Sequence, residues 1–127
     1  MLLWITAIIL GLAAAYMLST RWIPAGGASC TDLPEKALLS EDTSVLDIRE
    51  YLDVDHNPLP GAQVLPYPYL KRYLHTIEKQ HVFLIAPDKV SKNLAIRMLR
   101  RNNIQVAHYT IVERSSHGGQ PLKAPCN

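Results

Sequence analysis

The sequence is poor in the residues that reactive sites use. Its 127 residues include two cysteines, Cys30 and Cys126, which are far apart and form no Cys-x-x-Cys pair. The five histidines are scattered along the chain and show no zinc-ligand spacing with either cysteine. We therefore expect no metal site and no bound cofactor.

An excess of charge of either sign is also lacking. The chain has 13 Lys and Arg residues against 11 Asp and Glu residues, which gives a formal net charge of +2. This excess is too small to indicate nucleic acid, and no basic patch is interleaved with aromatic residues, so we expect no nucleic-acid partner. About 100 residues remain after the apolar N-terminus, enough for one small domain.

Charge is absent from the first twenty residues. From Leu2 to Leu18 all residues but one are apolar, and the first charged residue is Arg21. This length suits a bilayer core, with Trp4 and Trp22 near the two interfaces, where indole rings are favoured. Residues 1–23 are therefore predicted as a single-pass transmembrane helix that anchors the protein in a membrane.

Two other readings of this N-terminus are weaker. A cleaved signal peptide usually has a basic region before its apolar run, and none is present here. A lipoprotein site ending at Cys30 has small residues before it, but Gly27 stands where such sites usually carry Leu. We favour the membrane anchor.

The orientation of the anchor is predicted from Arg21. This arginine follows the helix and no basic side chain precedes it, so the positive-inside tendency places the domain in the cytoplasm. There Cys30 and Cys126 would be reduced, whereas on the other side of the membrane they could bridge the two ends of the domain.

The rest of the chain is divided into a linker at residues 24–30, a domain at 31–114 and a disordered tail at 115–127. Short apolar or alternating runs predict strands, and apolar residues at helical spacing predict helices. Residues 53–61 have the densest turn signals and are predicted as a loop. The predicted strands are 44–48, 62–65, 82–86 and 104–111, and the predicted helices are 33–38, one that follows residues 66–68, and 90–101.

The strand and helix around Pro87 define the fold class. Residues 82–86 are apolar throughout, which predicts a strand buried on both faces of a parallel sheet. Asp88 or Ser91 can cap the next helix, and Asn102-Asn103 can end it. We therefore predict an α/β fold with a small parallel sheet flanked by helices, in which ligands bind at the carboxyl ends of the strands.

Two short motifs give this order of elements a family resemblance. Asp47-Ile48-Arg49-Glu50 follows the first predicted strand, and Pro60-Gly61-Ala62 precedes the second. With the apolar strand that leads into a loop, this pattern resembles the rhodanese (sulfurtransferase) domain over residues 32–113. The resemblance implies a cysteine directly after the apolar strand, whose thiolate carries sulfur as a persulfide.

The sequence departs from the family at that cysteine. By register the position is Ala86, and a methyl group forms no covalent intermediate. The family's loop glycine falls near Lys89 and its loop arginine near Ser91. We therefore predict no catalytic residue and a degenerate active-site loop, which consists of Ala86, Pro87, Asp88, Lys89, Val90 and Ser91.

Weak anion binding and a structural ion pair are predicted beside this loop. Lys89, Lys92 and Arg49 are the candidate binding residues. Asp47 and Arg49 are expected to form an ion pair or a hydrogen-bonded turn that ties the strand end to its loop.

The predicted function is that of a membrane-anchored, catalytically inactive rhodanese-like domain that serves as a binding or scaffolding module. An unknown protein partner would meet residues 56–60, residues 87–91 and the tyrosines of 66–73.

Two alternatives belong to other classes of function. One is a sulfurtransferase that uses Cys30 or Cys126 as its nucleophile. The other is a structural subunit of a membrane complex, in which Ala7, Gly11 and Ala15 give the small-xxx-small spacing that packs helices together.

Overall fold

The computed structural model describes residues 1–31, 41–56 and 58–113. One long N-terminal helix precedes a five-stranded sheet whose strands are all parallel and have the order β1-β5-β4-β2-β3. The strands are β1 (Ser29–Cys30), β2 (Thr43–Asp47), β3 (Ala62–Val64), β4 (His81–Ala86) and β5 (Gln105–Ile111). The helices are α1 (Leu2–Trp22), α2 (Tyr51–His56), α3 (Tyr67–Leu70) and α4 (Lys89–Arg101), with a short 3₁₀ helix at Leu74–Thr76. This architecture confirms the predicted α/β fold with a parallel sheet flanked by helices.

The central strand β4 is buried on both faces, as its apolar sequence predicts. Successive side chains of a strand point to opposite faces. Leu84 therefore packs in the larger core together with Ile96 and Leu99 of α4, whereas Phe83 and Ile85 pack in the smaller core on the other face. The sheet therefore lies between two apolar cores, one on each of its faces.

Helix α4 begins and ends where the sequence predicts. The Asp88 carboxylate accepts a hydrogen bond from the backbone N–H of Ser91 at 2.7 Å, which satisfies one of the donors that a helix start leaves unpaired. After Arg101 the chain leaves the helix, and Asn103 adopts a positive φ of 61°, a conformation that asparagine tolerates better than most residues.

Helix α2 corrects the prediction of a loop at residues 53–61. The backbone N–H groups of Asp53 and Val54 both donate to the carbonyl of Glu50, and Val54 is buried. The acidic residues that resemble turn formers lie on the outer side of this short helix. Burial of one apolar side chain outweighed their local preference.

The helix predicted after residues 66–68 is interrupted. It consists of α3 and, after a turn, the 3₁₀ helix. The Thr76 hydroxyl donates to the carbonyl of Tyr73 at 2.7 Å and accepts from the Gln63 side chain at 2.9 Å. Such side-chain bonds compete with a continuous helix, because they hold the backbone in a tighter turn.

The segment predicted as a linker, residues 24–30, contains ordered contacts. Ala25 is buried. The last two residues of the segment form strand β1, which pairs with β5. After β1, the N–H group of Thr31 donates to the carbonyl of Tyr109. A two-residue edge strand has no periodicity in sequence, so only its pairing with β5 identifies it. The helix predicted at 33–38 and the tail at 115–127 lie outside the described residues.

The C-terminal end of α1 is joined to α4 by polar contacts. The Asn93 side chain accepts from Ala25 N–H and donates to the carbonyl of Arg21, both at 3.2 Å. The Arg97 guanidinium donates to the carbonyl of Ile23 at 2.7 Å. These bonds join the exit of α1 to α4.

Candidate functional site

The carboxyl ends of β2 and β4 lie side by side, because Asp47 pairs with Ile85 in the parallel register. The turn at Ile48-Arg49 and the connection Pro87-Asp88 therefore meet at one edge of the sheet. Parallel α/β sheets bind ligands at this edge, so the candidate site is built from these two segments.

The first segment is closed by a buried ion pair. The Arg49 guanidinium donates to the Asp47 carboxylate through Nη2 at 2.7 Å and through Nε at 3.0 Å to each oxygen. Arg49 N–H also donates to Asp47 Oδ1, and the two side chains are 2% and 0% exposed. The predicted ion pair is confirmed. Because the carboxylate already engages the guanidinium in the interior, the role of Arg49 here is structural.

The second segment is a tight connection rather than an open loop. Ala86 is the last residue of β4 and is fully buried, and α4 starts after only Pro87 and Asp88. Lys89 and Ser91, the positions where the resemblance implies a loop glycine and arginine, are therefore helical. No stretch of loop backbone remains between Ala86 and α4 that would cradle an anion.

Asp88 further disfavours an anion at the start of α4. Its carboxylate accepts from Ser91 N–H at 2.7 Å and from the Ser91 hydroxyl at 3.1 Å, so it takes up N-terminal donors of the helix. A helix N-terminus carries partial positive charge and attracts anions. Here a side chain of the protein already supplies the negative charge.

The three candidate binding residues have different environments. Lys89 is exposed at the start of α4, and Arg49 is held by Asp47. Lys92 is only 5% exposed, and its ammonium lies 4.4 Å from the ring centroid of Tyr109, a cation–π contact with β5. Within the described residues no group of three or more His, Cys, Asp or Glu side chains could hold a metal ion.

Cys30 lies away from this edge and is disulfide-bonded. Cys30 lies on β1 and pairs with Tyr109 of β5, and β5 separates β1 from β4. Cys126, the second cysteine of the sequence, lies outside the described residues. The described part of the chain therefore offers no free thiol as a nucleophile.

An exposed aromatic cluster adjoins the candidate site, and sequence reasoning found only half of it. Tyr51 and Leu52 lie on α2, Tyr69 lies on α3 and Tyr73 follows α3; we call these four residues the tyrosine patch. The ring centroids of Tyr51 and Tyr69 are 6.4 Å apart. Among the described residues after Ile23, these four are the exposed large apolar side chains. Tyr51 and Leu52 were missed because residues 53–61 were predicted as a loop, so that no helix was expected at this place.

The parallel sheet with the connection after β4 is the architecture of a rhodanese-like domain. Two solved structures have this fold. A rhodanese-like domain protein from Staphylococcus aureus is 18% identical, with a TM-score of 0.55, and the match covers 76% of this chain and 94% of that one. A structural genomics target from Staphylococcus saprophyticus is 19% identical, with a TM-score of 0.53, and the match covers 65% of this chain and 84% of that one.

These likenesses confirm the rhodanese-like fold that the sequence motifs predict. No family model matches the sequence, and no curated protein matches it either.

Proposed function

We propose that the protein is a membrane-anchored rhodanese-like domain that has no sulfurtransferase activity and acts as a binding module. The observation that carries the proposal is the buried methyl group of Ala86, followed after two residues by α4. The resemblance implies that a sulfur-carrying cysteine and its loop belong there. An alanine side chain has no nucleophilic atom, and the burial of Ala86 supports the absence of sulfur chemistry at this position.

The anchor in this proposal is α1. Its 21 residues make a helix of roughly 31 Å at 1.5 Å per residue, close to the thickness of about 30 Å of a bilayer core. The helix is apolar and none of its residues is buried against the domain. Lipid would cover this surface, which water would solvate poorly.

The side of the membrane on which the domain lies is a separate part of the proposal. Arg21 favours the cytoplasm through the positive-inside tendency. The disulfide of Cys30 favours an oxidising compartment, because cytosolic thiols are normally kept reduced. We adopt the second placement, since a single arginine is the weaker determinant. Protease added to the non-cytoplasmic face of the membrane tests it, and a domain that stays protected there would restore the cytoplasmic placement.

Binding is assigned to the tyrosine patch, with a segment of another protein as the partner. The patch lies near the carboxyl edge, because α2 follows β2 and α3 follows β3 after short connections. Exposed aromatic side chains that pack together are typical of the centres of protein interfaces. In this proposal the carboxyl edge of the sheet is a binding surface. The rhodanese resemblance implies a reactive loop at the same edge in the enzymes of that family.

Sulfur transfer from thiosulfate to cyanide by the full-length protein in detergent tests the inactivity. We expect thiocyanate to form no faster than in the protein-free blank, both before and after reduction of the disulfide and removal of the reductant. A matched Cys30→Ser variant distinguishes thiol chemistry from background. Thiocyanate formation that is lost in this variant would support the alternative of a relocated nucleophile.

Photocrosslinking in membranes tests the binding surface. A photoreactive amino acid at Leu52 is expected to give a discrete crosslinked protein, which is lost when Tyr69→Ser is added. The same photoreactive residue at the exposed Glu113 is the control and is expected to give none. Equal crosslinking at both positions would remove the assignment to the tyrosine patch.

A further inference from the structure

A concave region lies at the edge of the sheet opposite the candidate site, at the amino ends of β4 and β5. It is a cleft of about 630 Å³ between the segment that follows α1 and the connection from α4 to β5. Because all strands are parallel, this edge is separate from the candidate site at the carboxyl ends. Residues that line the cleft include Gly26, Gly27, Gln80, Arg100, Asn103 and Gln105.

The cleft is lined by hydrogen-bond donors and by one cation. The Arg100 guanidinium lies against Gly27, where an added Cβ would come within 3.1 Å of Arg100 Nη2. Gly27 also has a positive φ of 84°, so the close approach depends on glycine. Side-chain amides and a guanidinium are the groups that bind phosphate and hydroxyl oxygens, and none of the described residues that line the cleft is acidic.

The backbone carbonyls at the end of α4 already have partners. The carbonyl of Leu99 accepts from the N–H groups of Asn102 and Ile104, and the carbonyl of Arg100 accepts from Asn103 N–H. On the far wall the carbonyl of Gln80 accepts from Gln105 N–H at 2.7 Å. Among the described residues, the guanidinium of Arg100 forms no ion pair.

The cleft lies next to the exit of α1. Gly27 is five residues beyond Trp22, the last residue of α1, so the cleft wall is at most about 18 Å of extended chain from the helix end. The bonds from Asn93 and Arg97 hold this exit against α4. Residues 89–101 contain five basic side chains and no acidic one. A cationic helix is thus fixed beside the end of the proposed membrane anchor.

We propose that this cleft binds the headgroup of an anionic phospholipid, with Arg100 on the phosphate and the side-chain amides on headgroup hydroxyl groups. The proposal rests on the membrane anchoring proposed above. A lipid bound there holds the amino edge of the sheet against the bilayer. The tyrosine patch, at the opposite edge, is then directed away from the lipid toward a partner.

Native mass spectrometry of the full-length protein, released from detergent after incubation with equal amounts of phosphatidylglycerol and phosphatidylcholine, tests the proposal. We expect phosphatidylglycerol to be retained in preference to phosphatidylcholine, and Arg100→Gln to lower its retention about tenfold through loss of a charged hydrogen bond. Arg72→Gln, which removes an exposed arginine over the Tyr73 ring, is the matched control and is expected to change nothing.

Two further arms keep the outcomes distinct. Gln105→Glu places a carboxylate in the cleft without a change of shape and is expected to lower phosphatidylglycerol retention as well. This variant keeps the test informative if the Arg100 variant does not fold. Glycerol phosphate at the same concentration is expected not to displace the lipid. Displacement, or equal retention by the parent and both cleft variants, would overturn the assignment to a lipid headgroup.

Failure of the anchoring itself has a different signature. Carbonate extraction of cell membranes is expected to leave the protein in the pellet. Protein in the soluble fraction would contradict the anchor, whereas pelleted protein without an Arg100-dependent lipid preference would contradict the cleft assignment alone.

Discussion

Ala86 ends β4 with its methyl group in the larger core, and Asp88 caps α4 two residues later. Between them Pro87 has no backbone N–H to offer a ligand. The carbonyl of Ala86 is also used, because it accepts from Val112 N–H at 2.8 Å. At the scale of single residues, the connection is thus built for packing and has few groups left for chemistry.

The variant Ala86→Cys is therefore expected to gain no sulfur transfer. The new thiol would be enclosed by apolar side chains that disfavour its thiolate, and its sulfur would overpack the core at a cost of about 1–3 kcal/mol. Thiocyanate formation from thiosulfate and cyanide is the measurement, with Ala86→Ser as the matched control. Activity gained by the cysteine variant alone would show that an active loop persists and that only the nucleophile is missing.

The Asp47–Arg49 pair predicts a large stability effect at one residue. Asp47→Ala leaves a buried guanidinium without its carboxylate, which typically costs about 3–5 kcal/mol. Denaturant unfolding of the full-length protein in detergent measures the loss, and Asp55→Ala at an exposed position of α2 is the control. Similar unfolding midpoints for the two variants would contradict a structural role for the pair.

At the scale of elements, the joint between α1 and α4 determines how the domain sits relative to α1. Asn93 is 3% exposed and connects two backbone groups of the α1 exit, while Arg97 binds a third. Arg97 Nη1 is buried and has no hydrogen-bond partner among the described residues. The joint therefore depends mainly on Asn93 and on one arm of Arg97.

Asn93→Ala is expected to loosen this joint. It leaves Ala25 N–H and the carbonyl of Arg21 without their partner, at a cost of about 1–3 kcal/mol for each group that stays buried. Hydrogen exchange of the Ala25 amide should become faster while that of β4 is unchanged. Asn102→Ala, which removes one exposed hydrogen bond to the carbonyl of Met98, is the control. Unchanged exchange at Ala25 would mean that Asn93 does not hold the joint.

Some of the helices and strands could be predicted from the sequence and others could not. β4 and α4 were predictable because their signals are local: an unbroken apolar run and a capping aspartate. α2 was not, because Asp53 and Asp55 resemble turn formers and the burial of Val54 depends on the rest of the fold. β1 exists only through its pairing with β5.

In the candidate site, too, some contacts could be predicted from the sequence and others could not. The Asp47–Arg49 pair follows from two charges two residues apart in a recognisable motif, so the sequence was sufficient. The contact of Lys92 with Tyr109 depends on the rotation of α4 over the sheet, which no local pattern specifies. Lys92 was predicted as a weak anion-binding residue from its place near the start of the helix, and the packing of its ammonium over the Tyr109 ring could not be predicted.

At the scale of the whole molecule, the two edges of the sheet have different proposed roles. The amino edge carries the cleft beside the exit of α1, and the carboxyl edge carries the tyrosine patch and the closed connection after β4. An enzyme of this fold would concentrate its chemistry at the carboxyl edge. Here that edge offers exposed aromatic rings, which suit recognition of a protein surface, whereas its ion pair is buried and structural.

The most direct test of this account is the mass of the intact, full-length protein after incubation with thiosulfate, with and without prior reduction of its disulfide. We predict an unchanged mass in both cases, because the connection after β4 has no group that can hold a sulfur atom. A gain of one sulfur atom that cyanide removes would show a persulfide, and the protein would then be a sulfurtransferase rather than a binding module.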